Sequence, residues 1–483
     1  MTLFKKNKIG LCHGVFDVVH YGHIQHFESA KKIVDKLILS VTSDSFVNKG
    51  NDRPVFNLIQ RIEFLKKIKL IDDVIISDSE NAIKSLNKIK PDFYFKGIEY
   101  KNQNNIKPLN SFDLEKKFCK KNKIKIIYTM DKKYSSSALI NNYFSPDNNL
   151  KSFINLVKKK YSYNDVFRIL EEIKKSEINV IGDPIIDKYR YGSTIGTSSK
   201  SPSIAMLDKY QEVYKGGSIA VAEMLSSLGF KVNLIMFKNS KINNLIKINN
   251  KIKVVNCFES NNFPIIERIV DNDRNYIKML QIYNLERIII NSKQENLIIK
   301  NIKKFKKNIN SIFLVIDFGF GFLSNKVVKF LDNNIDYSVN CHLSSLNINS
   351  NYYTKYNNFN YITFNKKEFE LSFRGIESFE KKVKKAKNKI KAAFAITLGK
   401  YGSIFINKNK EYSFPAVYKN IVDPVGCGDA FFAISSIVFR FTKDPILSNF
   451  LGNLYAGMHG MIVCNKEFTD DRKFMNAIKS VLS

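Results

Sequence analysis

The sequence predicts an α/β protein with two doubly wound domains, each built on a parallel sheet. Short apolar runs such as Lys36–Thr42 alternate with helically spaced segments such as Ile24–Val34 along the whole chain. This alternation is typical of parallel sheets with helices on both faces. At 483 residues the chain is also too long for one ordinary core. A turn-rich break at Ser145–Asn149 separates three predicted segments: a first domain at 1–145, a linker at 146–160 and a second domain at 161–483.

The composition argues against membrane-spanning and secreted classes. Hydrophobic residues make up 44% of the chain, yet no run approaches the roughly 18 apolar residues of a membrane helix. No apolar segment follows Met1–Lys6, so no secretory signal is indicated. Six cysteines are scattered without a Cys-x-x-Cys pair, which favours free thiols in a reducing cytoplasm over disulfides or a zinc site. We therefore expect a cytoplasmic protein.

The net charge of +32 suggests nucleic-acid binding at first sight. The lysines, however, are spread over the whole length and often stand beside Asn and Ile, as in Lys300–Asn308. Charge runs of this kind usually coat solvated helix faces. We therefore expect no nucleic-acid partner, although a basic protein attracts polyanionic small substrates such as nucleoside triphosphates.

The first domain alternates strongly between strand and helix patterns. Ligands of such sheets bind at the carboxyl ends of the strands. The predicted elements are strands at Lys8–Cys12, Lys36–Thr42, Asp73–Ser77, Asp92–Lys96 and Lys123–Thr129, and helices at Ile24–Val34, Asn57–Ile68 and Asn81–Ile89.

Two histidines, His20 and His23, lie just past the first predicted strand, where a helix starts. Imidazoles at that place, separated by a glycine, can donate hydrogen bonds to phosphate oxygens and to developing negative charge. A metal site is the alternative. Zinc would need further ligands, and only His13 and His26 are close in sequence.

The segment Gly14–His23 closely resembles the signature of the cytidylyltransferase-like nucleotidyltransferases. Further matches to that family extend over nearly all of the first 142 residues. They include Lys31 and Lys32 on the helix, Gln60-Arg61, Lys96–Tyr100, and a Ser-rich turn with Ser135, Ser136 and Ser137.

The resemblance implies attack of a phosphorylated substrate on the α-phosphate of ATP or CTP, with Mg²⁺, releasing pyrophosphate. It implies that His20 and His23 stabilise the transition state. The nucleotide- and phosphate-binding residues that it implies are Gly14, Phe16, Asp17, Lys31, Lys32, Arg61, Ser135, Ser136 and Ser137. One departure is Lys132-Lys133, where members often have Arg and Gly; lysine keeps the charge without the bidentate fork.

The second domain repeats the alternation of strands and helices. Asp183 and Asp187 follow a predicted buried strand, and two such acids can accept paired hydrogen bonds from a polyol, although turn carboxylates are the plainer interpretation. Gly216 and Gly217 open a helix and leave room for a substrate. The predicted elements are a helix at Asn164–Ser176 and strands at Ile178–Ile181, Val232–Phe237, Arg287–Asn291, Ile312–Asp317, Tyr361–Phe364, Ala393–Leu398 and Tyr412–Val422.

The stretch Asp423–Asp429 combines a tight Gly-x-Gly turn with an acid at the apolar start of a helix. The glycines let successive N–H groups converge, and the helix N-terminus adds partial positive charge, so the turn suits an anion. Asp429 then stands where a carboxylate could take a proton from an attacking hydroxyl. A glycine turn capped by Asp is the alternative interpretation of these residues alone.

Five motifs in family order resemble the ribokinase-type carbohydrate kinases, of the pfkB type. They are Gly182–Asp187, Gly216-Gly217, Asn365–Glu368, Thr397–Gly402 and Asp423–Ala430. The second domain is thus expected to have the ribokinase-like fold, after a first domain with the Rossmann-like nucleotidyltransferase fold.

This second resemblance implies ATP-dependent phosphorylation of a sugar hydroxyl, with Asp429 as general base. The other implied site residues are Gly426, Cys427 and Gly428 for the transferring phosphoryl group, Thr397, Gly399 and Gly402 for the nucleotide, Asp183, Asp187, Gly216 and Gly217 for the sugar, and Asn365 and Glu368 for Mg²⁺.

Within the kinases, Asp187–Gly192 most resembles the kinase half of the bifunctional ADP-heptose synthases. Three features depart from those enzymes: their domain order is the reverse, they often have Asp-Pro-Lys where this chain has Asn340-Cys341-His342, and an Asn-rich insert follows at Asn347–Asn360.

Three functions stay open at this point. The first is a bifunctional kinase and nucleotidyltransferase of nucleotide-sugar synthesis, of the ADP-heptose type. The second is a CTP-dependent polyol-phosphate cytidylyltransferase fused to a kinase for another sugar. The third is a basic RNA-binding or scaffold protein with inactive sites. For the enzymes, the partners are a sugar or sugar phosphate and nucleoside triphosphates, and a homodimer is a family expectation only.

Overall fold

The computed structural model describes residues 7–47, 54, 56–97, 111–129, 148–273, 276–284, 288–308, 310–343, 346–348, 350–408, 410–418 and 421–482. The chain divides near residue 148 into two compact units, Met1–Asn148 and Asn149–Ser483. Each unit has its own sheet and its own apolar core.

Parallel strands alternate with helices through the first unit. In chain order the elements are β1 Ile9–Gly14, α1 Tyr21–Lys31, β2 Lys36–Thr42, α2 Leu58–Lys66, β3 Asp73–Ser77, α3 Ile83–Ile89, β4 Phe93–Gly97, α4 Ser111–Lys121 and β5 Lys125–Thr129. The strands pair in the order β3-β2-β1-β4-β5, and every pairing is parallel. One apolar cluster contains Phe27 of α1 and Leu65 of α2, and the other contains Leu86 of α3 and Phe112 of α4. The predicted doubly wound sheet is therefore confirmed.

Most strands of the second unit join one large sheet. The strands of this unit are β6 Glu177–Gly182, β7 Pro184–Thr197, β8 Ile204–Gly216, β9 Lys231–Lys238, β10 Lys253–Glu259, β11 Ile265–Asp271, β12 Ile277–Asn284, β13 Ser311–Asp317, β14 Tyr337–Cys341, β15 Tyr361–Asn365, β16 Ala393–Thr397, β17 Ser403–Asn407 and β18 Lys410–Phe414. The large sheet has the order β10-β9-β6-β13-β14-β15-β16-β17-β18. Its pairings are parallel from β10 to β16 and antiparallel at the β17 and β18 edge.

Helices complete the second unit. They are α5 Asn148–Lys160, α6 Tyr163–Lys174, α7 Gly217–Ser227, α8 Ser240–Leu245, α9 Ser292–Lys306, α10 Asn325–Asn334, α11 Lys366–Ser372, α12 Phe379–Lys389, α13 Cys427–Thr442, α14 Pro445–Gly460 and α15 Asp471–Leu482. The helix α13 is buried without interruption from Asp429 to Phe439. A helix that is apolar all round must lie inside the protein. The packing of α13 in the core therefore fixes the position of its first turn.

A smaller sheet of order β12-β11-β7-β8 was not predicted. Its strand β8 contains four charged residues and is mostly exposed along its length, so it lacks the apolar run that identifies a buried strand. The strand predicted at Arg287–Asn291 is wrong over the described residues 288–291. Asn291 there is the N-cap of α9, and its side chain accepts the N–H of Gln294 at 3.0 Å. The strand predicted at Tyr412–Val422 ends at Phe414.

The linker predicted over 146–160 differs in the structure, because Asn148–Lys160 is the helix α5. Its residues Phe153 and Val157 are buried in the core of the second unit, and the Phe153 ring lies 4.5 Å from that of Phe414. This apolar packing makes the helix part of the second unit.

Among the described residues, no helix combines the length and the apolar character that crossing a membrane requires.

Asp444 fastens the end of α5 to the second unit and also caps α14. Its carboxylate accepts hydrogen bonds from Lys160 Nζ and, at 2.5 Å, from the hydroxyl of Tyr161. The same carboxylate accepts the N–H groups of Ile446 at 2.7 Å and Leu447 at 3.3 Å. Burial raises the pKa of Asp444, but the bonds from Lys160, Tyr161 and Ile446 lower it more, so the pKa lies below its ordinary value of 3.8.

We predict that Asp444→Ala lowers the free energy of unfolding by about 1–2 kcal/mol through loss of the cap. Asp444→Asn keeps a good cap and loses only the charge, so it should destabilise less. A lowered pKa stabilises the folded chain above pH 3.8, and this stabilisation is lost as the pH falls through the folded value. Thermal melts from pH 7 to pH 3 should therefore show the wild type converging with Asp444→Asn in acid. A constant difference between them would contradict the ionic role.

Candidate active sites

The first candidate site lies where β1 ends and α1 begins. His20 is the N-cap residue of α1 and His23 lies in its first turn, where the helix dipole is positive. Their ring centroids are 4.0 Å apart. His23 Nδ1 accepts the backbone N–H of His20 at 3.3 Å, so a neutral His23 carries its proton on Nε2. Two adjacent imidazoles at a helix N-terminus suit the binding of phosphate oxygens.

The loop before α1 is fixed by an aromatic ring and a buried carboxylate. Phe16 has a left-handed backbone with φ of +48°, and its ring meets the His23 ring edge-on at 5.7 Å. Gly14 ends β1 beneath that ring, since a Cβ there would lie 3.2 Å from Phe16. Asp17 is buried and accepts the N–H of Phe56 at 3.0 Å. All three residues predicted for this loop thus act on its shape.

The other two histidines of the region contact different partners. His26 Nδ1 lies 2.7 Å from Thr129 Oγ1 at the end of β5, and His13 Nδ1 lies 3.1 Å from Ser40 Oγ in β2. Within the described residues, no three His, Cys, Asp or Glu side chains are grouped as metal ligands. Hydrogen-bond donation by His20 and His23 to phosphate stays a prediction.

Arg61, predicted to contact the triphosphate, is a buried side chain that clamps loops in this structure, and its contact with the nucleotide stays a prediction. Its guanidinium donates to the carbonyl oxygens of Val15 at 2.5 Å, Thr42 at 2.9 Å and Phe56 at 3.0 Å. A fourth bond, of 2.6 Å, goes to the carboxylate of Asp44. The side chain is fully enclosed, so its donors hold the loops after β1 and β2 together.

Lys31 contacts residues at the opposite edge of the sheet from His20, and the predicted phosphate role of Lys31 and Lys32 stays a prediction. Lys31 Nζ donates to Asp72 Oδ2 at 2.5 Å and to the carbonyl of Asp35 at 2.7 Å. Asp35 and Asp72 immediately precede β2 and β3, at the amino ends of the parallel strands. His20 follows the carboxyl end of β1, which is the opposite edge of the sheet. Lys32 is the exposed C-cap residue of the same helix. The predicted Ser135, Ser136 and Ser137 lie outside the described residues.

The second candidate site is built at the N-terminus of α13. Gly426 is the N-cap with φ of +83°, and Asp429 lies in the first turn, 8% exposed. The helix geometry leaves the N–H groups of Gly428 and Asp429 without a carbonyl inside the helix. A Cβ on Gly428 would meet nothing within 4 Å, so the space beside the Gly428 Cα is open. Cys427 Sγ points back toward the carbonyl of Asp423 at 3.7 Å.

An imidazole that was not among the predicted site residues joins two carboxylates here. His342 Nε2 lies 2.9 Å from Asp429 Oδ1, and its Nδ1 lies 3.2 Å from Glu368 Oε1. Asn340 Nδ2 also donates to Asp429 Oδ1, at 3.3 Å. Burial lowers the pKa of His342, but the carboxylates of Asp429 and Glu368 raise it to about 10. His342 is therefore an imidazolium at neutral pH.

Asn365 and Glu368 form a closed cap on α11 rather than an open metal site. Asn365 Oδ1 accepts the N–H of Glu368 at 2.9 Å, and Glu368 Oε2 accepts the N–H of Asn365 at 2.8 Å. With His342 on Oε1, both oxygens of Glu368 have donors within the protein. Both side chains are therefore bonded within the protein, and their predicted role in organising Mg²⁺ stays a prediction.

Asp183, predicted to contact the sugar, organises a loop in this structure, and its contact with a sugar stays a prediction. It is fully buried, and its two oxygens accept the N–H groups of Phe318 at 2.9 Å and of Phe320 and Phe322 at 3.3 Å. Burial, and next the carboxylate of Asp317, raise the pKa of Asp183 to about 7.

Asp187, by contrast, lies in the same centre as Asp429. It is ion-paired with Arg268 of β11, whose guanidinium also lies 5.6 Å over the Tyr189 ring. Burial raises the pKa of Asp187, Arg268 lowers it, and the nearby charges of Asp429 and Asp423 raise it again, so the net change is upward.

The predicted glycines have different tasks. A Cβ on Gly216 would come within 2.4 Å of Asp187 Oδ2, and one on Gly217, with φ of +57°, would meet the carbonyl of Asp183. Both therefore permit close packing beside these acids. Gly402, with φ of +94°, packs on the backbone of Phe414, whereas Gly399 faces open space.

Thr397 ends β16, and its hydroxyl lies 3.4 Å from the carbonyl of Phe364.

Asp423 anchors the turn that presents Asp429. Its carboxylate accepts hydrogen bonds from the Tyr189 hydroxyl at 2.9 Å, the Cys464 N–H at 3.1 Å and Lys278 Nζ. Lys278 and Tyr189 come from the small sheet that the sequence did not predict, so no local pattern could have identified them. His342 had a local signal, since it is a polar residue directly after the buried strand β14.

Two family models match the chain. Residues 11–142 match the model described as cytidylyltransferase-like, and residues 335–434 match the model described as pfkB family carbohydrate kinase. The first unit therefore carries a cytidylyltransferase-like domain and the second a carbohydrate-kinase domain of the pfkB family. Both predicted families, and their order along the chain, are confirmed.

Curated relatives match over a shorter region. The bifunctional protein HldE of Campylobacter jejuni subsp. jejuni serotype O:6 is 39% identical over 107 residues, which is 21% of this chain and 23% of that protein. The protein of the same name from Blochmanniella floridana is 42% identical over 101 residues, 20% of this chain and 21% of its own. The match thus spans less than a quarter of each relative's length.

A solved structure resembles the chain over a longer region. Phosphofructokinase-2 from Escherichia coli, in complex with substrates and products, superposes with a TM-score of 0.50 at 12% identity. The match covers 63% of this chain and 98% of that chain. At this identity the likeness shows the fold alone, which is the predicted ribokinase-like fold.

We predict that Arg61→Ala destabilises the first unit by on the order of 3 kcal/mol, because buried acceptors lose their donor. Thermal unfolding of the full chain measures the effect. Lys32→Ala is the matched control. It should leave the melting curve unchanged, because Lys32 is an exposed residue at the C-terminal end of α1 in the same unit. If Arg61→Ala left the stability intact and raised only the KM for a nucleotide, Arg61 would be a ligand contact after all.

Proposed function

We propose that this protein is a bifunctional enzyme of nucleotide-sugar synthesis, of the ADP-heptose type. Its second unit would phosphorylate a sugar or sugar phosphate with ATP, and its first unit would join a sugar phosphate to a nucleotide. The observation that carries the proposal is the pair of helix N-termini with reactive side chains: His20 and His23 on α1, and Asp429 beside the open Gly428 on α13.

The kinase reaction follows from the position of Asp429. The carboxylate takes the proton of the acceptor hydroxyl while the hydroxyl oxygen bonds to the γ-phosphorus of MgATP. The bond from the γ-phosphorus to the bridging oxygen breaks, and its electron pair leaves with ADP. The amides of Gly428 and Asp429 would bind the phosphoryl oxygens, where fixed dipoles stabilise developing charge. Asp187 is the remaining predicted acid near Asp429 and would contact the sugar.

The nucleotidyl transfer follows from the imidazole pair. A phosphate oxygen of the sugar phosphate attacks the α-phosphorus of a nucleoside triphosphate, and the bond to the β-phosphate breaks with release of pyrophosphate. His20 and His23 would donate hydrogen bonds to the α-phosphate oxygens, whose charge rises in the transition state. Gly14, Phe16 and Asp17 would hold these rings in place, and Mg²⁺ would accompany the nucleotide.

Three finer points belong to the same proposal. The cysteines among the described residues are unpaired, which suits the reducing cytoplasm, where ATP is available. A homodimer remains an expectation from the families. An assay with several nucleoside triphosphates distinguishes ATP from CTP as the nucleotide of the first unit.

The test is a matrix of nucleoside triphosphates against sugars and sugar phosphates, with ADP and pyrophosphate measured separately. We expect the wild type to release ADP with a sugar or sugar phosphate, and pyrophosphate with a sugar phosphate. Asp429→Asn should abolish the first activity alone, and His20→Ala the second alone, because each variant loses a group of one centre.

Loss of both activities in either folded variant would contradict two independent centres. A preference for CTP with a polyol phosphate would indicate the alternative cytidylyltransferase. Salt-sensitive retention of RNA without turnover of any sugar would support the non-enzymatic alternative and overturn the proposal.

A second prediction separates two glycines of one turn. Gly428→Ala places a methyl group in the open space beside the Gly428 Cα, so we expect a loss of kinase activity on the order of 100-fold with unchanged stability. Gly426→Ala forces an L-residue to φ of +83° and against His459 Nε2, so we expect a destabilisation of roughly 1–2 kcal/mol or more. Steady-state kinetics and thermal melts measure the two effects. A fully active Gly428→Ala would place the phosphoryl group elsewhere.

A further inference from the structure

We propose that His342 is a positioning residue of the kinase centre, held by the Asn-rich insert, which fixes the carboxylate of Asp429 for proton transfer. This inference rests on the proposed kinase function of the second unit and adds to it a residue outside the family motifs. Its grounds are the contacts of the imidazole ring, the contacts of the His342 backbone and the distribution of charge around both.

The imidazole ring is constrained on three sides. It stacks on the Phe318 ring with centroids 4.0 Å apart and planes 15° from parallel. Its two nitrogens reach Asp429 and Glu368, at 2.9 Å and 3.2 Å. Only 17% of the side chain is exposed. A ring with a stacked face and two bonded edges has a single orientation, so Nε2 stays directed at Asp429.

The backbone of His342 is held by the insert at Asn347–Asn360. Asn347 Nδ2 donates to the carbonyl of His342 at 3.1 Å and to that of Phe318 at 2.6 Å. Asn351 Nδ2 donates to the same His342 carbonyl at 3.0 Å and to the carbonyl of Asp317 at 3.2 Å. The two asparagine side chains thus bind the strand ends of β13 and β14 to each other. The insert therefore fixes the backbone that carries the imidazole.

A lysine and a backbone bond complete this support. Lys355 donates to Asn351 Oδ1 at 2.7 Å and pairs with the buried Asp317. The N–H of His342 donates to the carbonyl of Asp317 at 2.7 Å. The position of the ring is therefore determined from both its side chain and its main chain.

The contacts leave one oxygen of the base for the substrate. Within the described part of the chain, His342 and Asn340 both reach Oδ1 of Asp429. A carboxylate held on one oxygen presents the other in a fixed direction, and Oδ2 then accepts the proton of the acceptor hydroxyl.

Proton transfer to Asp429 removes the excess negative charge of this group of side chains. Before transfer, one imidazolium faces two carboxylates, Asp429 and Glu368. When Asp429 takes the proton and becomes neutral, the His342–Glu368 pair remains, with no net charge. The imidazolium keeps its own proton throughout, so no additional acceptor is required.

The test compares His342→Ala and His342→Gln with the wild type in full-length protein. We expect kcat for sugar phosphorylation to fall on the order of 100-fold, as for a misplaced reacting group, with the KM for ATP within about threefold and nucleotidyl transfer unchanged. His342→Lys supplies a cation at the same place and should recover part of kcat. Asn347→Ala combined with Asn351→Ala should lower kcat in the same direction.

The control is Asn357→Ala, a change of the same kind in the same insert. Asn357 bonds to Asp332, which belongs to α10 and makes no contact with Asp429 among the described residues. This variant should keep the kinase activity of the wild type. A double-mutant cycle adds a further criterion: in a His342→Ala background, Asn347→Ala with Asn351→Ala should lower kcat no further, because the asparagines act through His342.

Each outcome decides the inference. Equal kcat in His342→Ala, His342→Gln and wild type, or an effect on KM alone, would overturn it while leaving the proposed kinase function intact. A wild type that phosphorylates no sugar would overturn the proposed function and the inference together. If His342→Ala fails to fold, His342→Gln and the asparagine pair carry the same comparison.

Discussion

The contact of one imidazole ring with two carboxylates links the separate parts of the kinase centre. His342 follows β14, Glu368 caps the helix after β15, and Asp429 begins the buried helix α13. These residues are far apart in sequence, and each would carry an uncompensated charge without the others. A buried charge that loses its partner destabilises a protein by several kcal/mol. The ion pairs therefore hold the ends of β14 and β15 and the first turn of α13 in fixed positions relative to one another.

The two units apply the same principle to different side chains. In each, a parallel sheet brings polar residues to its carboxyl edge, and a helix begins there with amide groups directed at an anion. The first unit places imidazoles at this point, and a buried arginine ties the loops together from behind. The second unit places a carboxylate there, and a buried aspartate, Asp423, ties the turn. The first arrangement suits a group that already carries phosphate, and the second a neutral hydroxyl.

Sequence patterns were sufficient for the alternation of strands and helices and for the position of His20, His23 and Asp429 at helix starts, because these depend on local turns. They do not identify which distant groups a side chain contacts. Arg61 and Lys31 have the charge that a phosphate needs, yet Val15, Thr42 and Asp72 satisfy it inside the fold. Asp183 has the chemistry of a sugar ligand, yet the amides of residues 318–322 occupy it. The small sheet was missed because β8 and β12 at its two edges lack a buried apolar run. The pairing of Arg268 with Asp187 was missed with it.

The cap on α11 has a consequence for how this centre can change. Glu368 closes the first turn of its helix through Oε2 and receives His342 through Oε1. A substitution of Glu368 would remove the cap of α11 and would also change the charge near Asp429. Stability and turnover would therefore change together at this position. Substitutions are more easily tolerated on β8 and β12 of the small sheet, where many side chains are exposed. We therefore expect His342, Glu368 and Asp429 to be retained together while exposed residues of the small sheet vary.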